Sequence, residues 1–321
     1  METELQDIVP NICSGKDRIS NSGEVALYGS TGVIGRTNSA SYKENIVLVA
    51  RVGANAGQMQ IGNAPCGVTD NTLVIDAKEW NYYIYYFLQH YNLNRLVFGS
   101  GQPLITGGML KRIKVRYGCK AERNNITRLL CLIDERIATQ NKIIEKLESL
   151  IKGIADKLFQ TARETKLLLE LAPNITSGTD KNGSGTIPLY GSTGIIGKVK
   201  NASQKGNIVL VARVGTIGTV QYVKESCGVS DNALIVEAGE MTKYIYHFLK
   251  TYKFAHITSG TTQPLITASS LKKIAVPTYD IERQTQIVLC LNILERKLDI
   301  EKQYLSDIAM MKQYLLHQMF I

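Results

Sequence analysis

Between residues 126 and 158 apolar side chains recur at alternating steps of four and three: Ile126, Leu130, Ile133, Ile137, Ile144, Leu147, Ile151, Ile154 and Leu158, with Gln140 as the polar member. The same rhythm returns at Ile287, Leu291, Leu294, Leu298, Leu305, Ile308, Leu315 and Met319, where Glu301 and Lys312 take the polar places. This is a heptad seam, and it predicts two long helices over about 121–165 and 281–321. A helix with such a stripe cannot bury it alone. The other helix of the same chain is one partner, and a second chain is the alternative. The linker LLLELAP at 167–173 is short, so the region after it lies near the far end of the first helix, which favours an antiparallel pair within the chain.

The regions ahead of the helices follow another pattern. Runs such as NIVLVARVG, NTLVI and NALIV are short, apolar and β-branched, and Gly, Asn and Ser clusters separate them, as expected of short strands joined by turns. KEWNYYIYYFLQHY and GEMTKYIYHFLKTY each carry aromatic and aliphatic residues every three to four positions and predict a helix. Each front region therefore reads as a compact α+β domain.

These patterns occur twice because the chain is an internal repeat. Residues 28–53, YGSTGVIGRTNSASYKENIVLVARVG, align without gaps on residues 190–215, YGSTGIIGKVKNASQKGNIVLVARVG, with 19 of 26 positions identical. The match continues through CGVTDN and CGVSDN (66–71, 227–232), YIYYFL and YIYHFL (83–88, 244–249), QPLIT (102–106, 263–267), and LKRIKV and LKKIAV (110–115, 271–276). Self-similarity at this period sets the organisation. Two tandem copies result: front domain 1–120, helix 121–165, front domain 166–280 and helix 281–321.

At 321 residues the chain is long enough for two ordinary cores. With 37 Lys and Arg against 28 Asp and Glu, its formal charge is +9, which favours a polyanionic partner and nucleic acid first. The start METELQDIVP has no signal-peptide or transit-peptide character, and no segment approaches the roughly 20 apolar residues of a membrane span, so a cytoplasmic location is expected. Six cysteines (13, 66, 119, 131, 227, 290) form no Cys-x-x-Cys pair and His is scarce, so neither a disulfide framework nor a zinc site is indicated.

The repeated GSTG phrase fits no nucleotide loop. Gly191 to Gly197 is one residue too long for a phosphate loop, Val199 stands where a hydroxyl is required, and the spacing of G-x-G-x-x-G fails. Cys66 and Cys227 lack a repeated base, since His90, His247, His256 and His317 align with Thr251, Tyr86, Arg95 and Asp156. Both cysteines read as core residues and Asp70 and Asp231 as turn residues. No catalytic site and no cofactor are predicted. Recognition remains. Small residues at Ser30, Thr31, Ser192 and Thr193 let backbone amides approach phosphate oxygens. Around them stand Tyr28, Arg36, Lys43, Arg51 and Gln102 in the first copy, and Tyr190, Lys198, Lys205, Arg213 and Gln263 in the second. Arg matches guanine and Gln matches adenine in the major groove, so this set suits DNA binding; structural ion pairing is the other reading for Arg51 and Arg213.

In combination the repeated IPLYGSTGIIG, VARVGTIGTV, SDNALIV, the passage from TTQPLIT to LKKIAVP, and ERQTQIV resemble the DNA-specificity (S) subunits of type I restriction-modification enzymes. The resemblance covers nearly the whole chain. It implies two target-recognition domains separated by helices forming a pseudo-twofold antiparallel intramolecular coiled coil. It further implies reading of a bipartite double-stranded DNA site, and scaffolding of two methyltransferase subunits and two restriction-translocation subunits that carry the catalysis. The front domains are compact for such proteins and unusually alike, which predicts two related half-sites in near-inverted arrangement. Two alternatives remain: the specificity subunit of another bipartite-site restriction-modification enzyme, and a coiled-coil protein-binding adaptor.

Overall fold

The structure, a computed structural model, describes residues 1–20, 22–97, 103–162, 164–260 and 264–320. It divides into two compact units, one of Met1–Asn141 with Gln303–Ile321, the other of Lys142–Lys302.

In unit 1 the strands are β1 (Glu2–Glu4), β2 (Ile12–Ser14), β3 (Val25–Gly29), β4 (Gly32–Thr37), β5 (Ile46–Ala50), β6 (Met59–Gly62), β7 (Cys66–Val68), β8 (Thr72–Ile75) and β9 (Lys114–Arg116). In unit 2 they are β10 (Glu164–Leu167), β11 (Asn174–Ser177), β12 (Ile187–Gly191), β13 (Gly194–Val199), β14 (Ile208–Ala212), β15 (Val220–Val223), β16 (Gly228–Val229), β17 (Ala233–Glu237) and β18 (Ala275–Thr278). The helices in chain order are α1 (Leu5–Ile8), α2 (Asn81–Tyr91), α3 (Gly107–Lys111), α4 (Lys120–Gln160), α5 (Leu168–Leu171), α6 (Thr242–Thr251), α7 (Ala268–Lys272) and α8 (Ile281–Met319).

Each unit has a four-stranded antiparallel sheet, in the order β2-β8-β5-β6 or β11-β17-β14-β15, and a three-stranded sheet, β4-β3-β7 or β13-β12-β16. The central strand has the sequence IVLVA in both units and is buried along its whole length. Its unbroken apolar run follows from cover on both faces. Ile46 and Leu48 pack with Tyr28, Cys66, Val68 and Val74, while Val47 and Val49 pack with Leu73, Ile75, Ile84 and Leu88. In unit 2 Ile208 and Leu210 join Cys227 and Val229, and Val209 and Val211 join Ile245 and Leu249.

Each unit also contains one stretch of each long helix. In unit 1 Leu130 and Ile133 of α4 share a core with Ile308 and Leu316 of α8. Asp134 meets Lys312 while Arg136 meets Tyr304, so the two stretches run antiparallel. In unit 2 Leu158 lies by Tyr279 and Glu148 by Lys302, again antiparallel. The seam read from the sequence is the buried stripe, since every one of its positions is buried or half-buried. Burial of a Leu or Ile side chain is worth about 1.5–3 kcal/mol, so the helix pairing lies within the chain and needs no second chain to cover the seam.

The C-terminal end of each long helix is pinned by an aromatic plug. Phe320, just past α8, meets Tyr83 and Phe87 edge-on at 5.3 and 5.9 Å, and Phe159 near the end of α4 meets Tyr244 and Phe248 at 5.5 Å each. The short linker at 167–173 is structured. Leu167 closes β10, which pairs with β18, and Leu168–Leu171 form a helical turn whose Leu168 is fully buried and donates its N–H to the Ile274 carbonyl at 2.8 Å. The apolar side chain of Leu168 draws the segment into the core. No helix among the described residues is long and apolar enough to cross a membrane.

Candidate nucleic-acid interface

The repeated phrase folds into a hairpin, β3–β4 in unit 1 and β12–β13 in unit 2. Ser30–Thr31 and Ser192–Thr193 form the tips, and Gly32 and Gly194 follow with φ of 123° and 126°, a conformation open to glycine at little cost. Gln60 donates to the Gly29 carbonyl at 2.7 Å and Gln221 to the Gly191 carbonyl at 2.9 Å, fixing each tip to its neighbouring strand. The register shifts after Leu27 and after Leu189, so that Tyr28 faces Val33 and Tyr190 faces Ile195. This bulge leaves an apolar pair in solvent on each hairpin: Val33 and Ile34 are 58% and 45% exposed, and Ile195 and Ile196 are 62% and 47% exposed. Both units therefore carry the same solvent-facing apolar pair on the same hairpin.

The hairpins also display cations. Arg36 and Lys198 lie exposed on β4 and β13, with Arg36 donating to the Glu24 carbonyl at 2.6 Å, and Lys43 and Lys205 are exposed in the loops entering the central strands. Among the described residues none of these four cations has a carboxylate within ion-pair distance. Thr31 and Thr193 are exposed at the tips, and Ser30 and Ser192 are half-buried beside them.

The tyrosines and arginines expected to contact DNA are placed differently. Tyr28 is buried in the small-sheet core, and its hydroxyl accepts the Asn63 N–H at 3.2 Å, so it supports the hairpin from beneath. Tyr190 is half-buried, with its hydroxyl 3.5 Å from Glu225. Arg51 and Arg213 are half-buried where the central strand ends; their carbonyls accept from Ile105 and Ile266. Arg213 Nη1 donates to Ser177 Oγ at 3.0 Å and its Nε is buried with no partner among the described residues, so this guanidinium is tied into the sheet edge. The expectations for Gln102 and Gln263 lie outside the described residues.

A loop beside each hairpin completes the face and is not marked by the repeated phrase. Residues 15–20 run along the free edge of β4, where Ser20 donates its N–H to the Arg36 carbonyl at 2.8 Å, and Gly183 donates likewise to Lys198 at 2.8 Å. Asp17 anchors the first loop by accepting from the Val68 N–H at 2.8 Å and Ser41 Oγ at 2.6 Å. Asp180 does the same with the Val229 N–H at 2.7 Å and Ser203 Oγ. A Cβ at Gly15 or Gly178 would run into the carbonyl of Val68 or Val229, so glycine permits the close approach. In unit 1 this loop and Thr69–Asp70 line an open groove of about 550 Å³. The signal in the sequence was the repeated SG-x-D, SGKD at 14–17 and SGTD at 177–180. It escaped because one copy is a residue longer between that motif and the hairpin.

Cys66 and Cys227 are fully buried, and burial first, with Asp17 or Asp180 nearby, pushes each thiol up to about 11, against the direction a nucleophile needs. Among the described residues no group of three or more His, Cys, Asp or Glu gathers to hold a metal ion.

Two separate stretches, residues 4–149 and 168–310, match the family model of the type I restriction modification DNA specificity domain. The chain belongs to this family. A putative type I specificity subunit of Mycoplasma genitalium is 22% identical over 344 residues, covering 95% of this chain and 88% of that protein. A putative type I restriction enzyme specificity subunit of Haemophilus influenzae is 26% identical over 117 residues, and there the chain spans 30% of the relative and 35% of itself. For the type I restriction enzyme MjaVIII specificity subunit of Methanocaldococcus jannaschii the identity is 30% over 122 residues, or 36% of this chain and 28% of that one. In fold the chain resembles the crystal structure of the type I restriction-modification system S subunit from M. genitalium, with a TM-score of 0.72, 18% identity, and coverage of 100% of this chain and 96% of that one. A second likeness, with a TM-score of 0.60, 13% identity and coverage of 100% and 97%, is to a chain from a structure of complex assembly and conformational transition of the type I R-M system. Each specificity-domain match thus holds one hairpin, one Asp-anchored loop and the first part of its own long helix.

Proposed function

We propose that this type I specificity subunit reads a bipartite site in duplex DNA, one half by each unit, and that catalysis resides in partner subunits. The observation that carries the reading is the duplicated hairpin: in both units its exposed cation lacks a carboxylate partner among the described residues, its apolar pair is exposed, and its tip is held by the same Gln clamp. Cations at Arg36, Lys43, Lys198 and Lys205 suit phosphate contacts, which position a protein on DNA, and the neighbouring side chains are left to read bases.

Two methyltransferase subunits and two restriction-translocation subunits complete the proposed assembly. The long helices support it, because they expose large apolar residues away from the seam: Leu132 at 54%, Leu289 at 60%, Ile293 at 59% and Ile300 at 55%. Such a stripe suits docking of partner helices. Lys142 and Lys146 add exposed cations on the flank of α4, whereas Arg136 is engaged with Tyr304 at 3.3 Å.

The test is co-expression with methyltransferase subunits in a methylation-free host, followed by mapping of modified adenines. A bipartite motif that vanishes without this chain is expected, with half-sites related by near-inversion because the two readers are alike. A stable complex that leaves no motif would instead favour a protein-binding adaptor.

A further inference from the structure

We infer that Ile19 and Asn182 are specificity-determining residues, each reading a base edge, and that they make the two half-sites differ at one position. The inference rests on the reading that the hairpin face meets DNA. The two units present nearly the same frame here. Asp17 and Asp180 hold their loops to β7 and β16 through equivalent bonds, and each loop then returns a main-chain hydrogen bond to the edge of the hairpin, Ser20 to Arg36 and Gly183 to Lys198. On that common frame the side chain two residues after the aspartate is Ile in one unit and Asn in the other.

Ile19 is 62% exposed, and its Cγ1 lies 3.5 Å from the place a Cβ of Gly35 would take, two residues along β4 from the exposed Val33. A β-branched side chain left in water on a fixed loop, flanked by the exposed cations Lys16, Arg18 and Arg36, is an apolar spot inside a cationic rim. The one apolar group on a base edge in the major groove is the thymine methyl. Unit 1 therefore prefers thymine under Ile19. In unit 2 Asn182 occupies the corresponding place over Gly197, and its Oδ1 accepts the Lys198 N–H at 3.0 Å. With Oδ1 turned to the main chain of β13, the amide is oriented by its oxygen, and the Nδ2 donor, which has no partner among the described residues, is the group left to meet a base. Two N–H bonds on one nitrogen match the adjacent O6 and N7 acceptors of guanine. Unit 2 therefore prefers guanine at the corresponding position.

The experiment maps adenine methylation in cells carrying the full chain with its methyltransferase subunits, as wild type, Ile19→Asn and Asn182→Ile. Each variant is expected to change the preference at one base pair of one half-site by about tenfold or more, Ile19→Asn in one half and Asn182→Ile in the other, with the spacer and the opposite half unchanged. An unchanged motif in both variants overturns the inference, as does a change spread over both half-sites. If a variant leaves no methylation, the purified complex is used to select from randomised duplexes and the same two outcomes decide. A wild-type chain that directs no motif at all would instead remove the DNA-reading function itself.

Discussion

Lys312 Nζ lies 2.6 Å from Asp134 Oδ1, and Tyr86 donates its hydroxyl to the other oxygen of the same carboxylate at 2.8 Å. The lysine that interrupts the heptad of the second helix is thus matched across the helix pair, with its ammonium 5.4 Å from the Tyr86 ring centre. The corresponding residues of unit 2 are Ile151, Glu295 and His247, where Lys250 takes the carboxylate at 2.5 Å. Removing one partner of a fully buried pair costs about 3–5 kcal/mol. Lys312 is 12% exposed but Asp134 is 34% exposed, so Lys312→Ala is expected to lose less, on the order of 2 kcal/mol, in urea unfolding. Adding Asp134→Ala should cost less than its single effect, with a coupling of about 0.5–3 kcal/mol. Strict additivity would mean the pair contributes nothing.

The aromatic plugs should act locally. Phe320→Ala, which removes a 5%-exposed ring from between Tyr83 and Phe87, is expected to cost about 3–5 kcal/mol. Hydrogen exchange followed by mass spectrometry should show α2 losing protection while α6 keeps it, and Phe159→Ala should reverse that pattern.

Two histidines set an acid limit. Burial lowers the affinity of His247 for a proton, and this outweighs Glu295, whose carboxylate 3.7 Å away pulls the other way. His90 is lowered by burial first and then by His317, whose ring centre is 5.3 Å off. A histidine that binds protons more weakly folded than unfolded contributes stability that is present above its ordinary pKa of about 6.5 and is lost as pH falls through the folded value. Stability should therefore decline as pH falls below about 6.5 towards the folded values, and His90→Gln with His247→Gln should flatten that decline in thermal melts between pH 7 and 5.

Phosphate contacts predict a salt signature. Arg36→Ala and Lys198→Ala are each expected to weaken duplex binding across sequences and to lower the slope of log affinity against log salt by about 1. Tyr28→Ala, beneath the hairpin, should instead lower the melting temperature. If the two cation variants leave the slope unchanged in fluorescence anisotropy, the hairpin does not face DNA.

The repeat and the seam were open to sequence reasoning because both are periodic. Nineteen identities in 26 positions and apolar steps of four and three need no knowledge of partners. The α+β class followed from the same runs. Side-chain direction was not open. Tyr28 and Arg36 stand eight residues apart in one motif, yet the bulge after Leu27 turns one into the core and leaves the other in solvent. Lys312 looked like a defect in the heptad because its partner, Asp134, lies 178 positions away. The loops at Ile19 and Asn182 were missed because they differ between copies, and a search for repeats finds what is the same.

The plug at Phe320 has a consequence for the order of events on the ribosome. Every segment of unit 2 has been synthesised by Lys302, whereas unit 1, although it begins first, waits for Gln303 onward to cover Leu130 and Ile133. The half of the protein made earliest is the last to close, so a frameshift just before residue 303 would spare the second reader and disable the first.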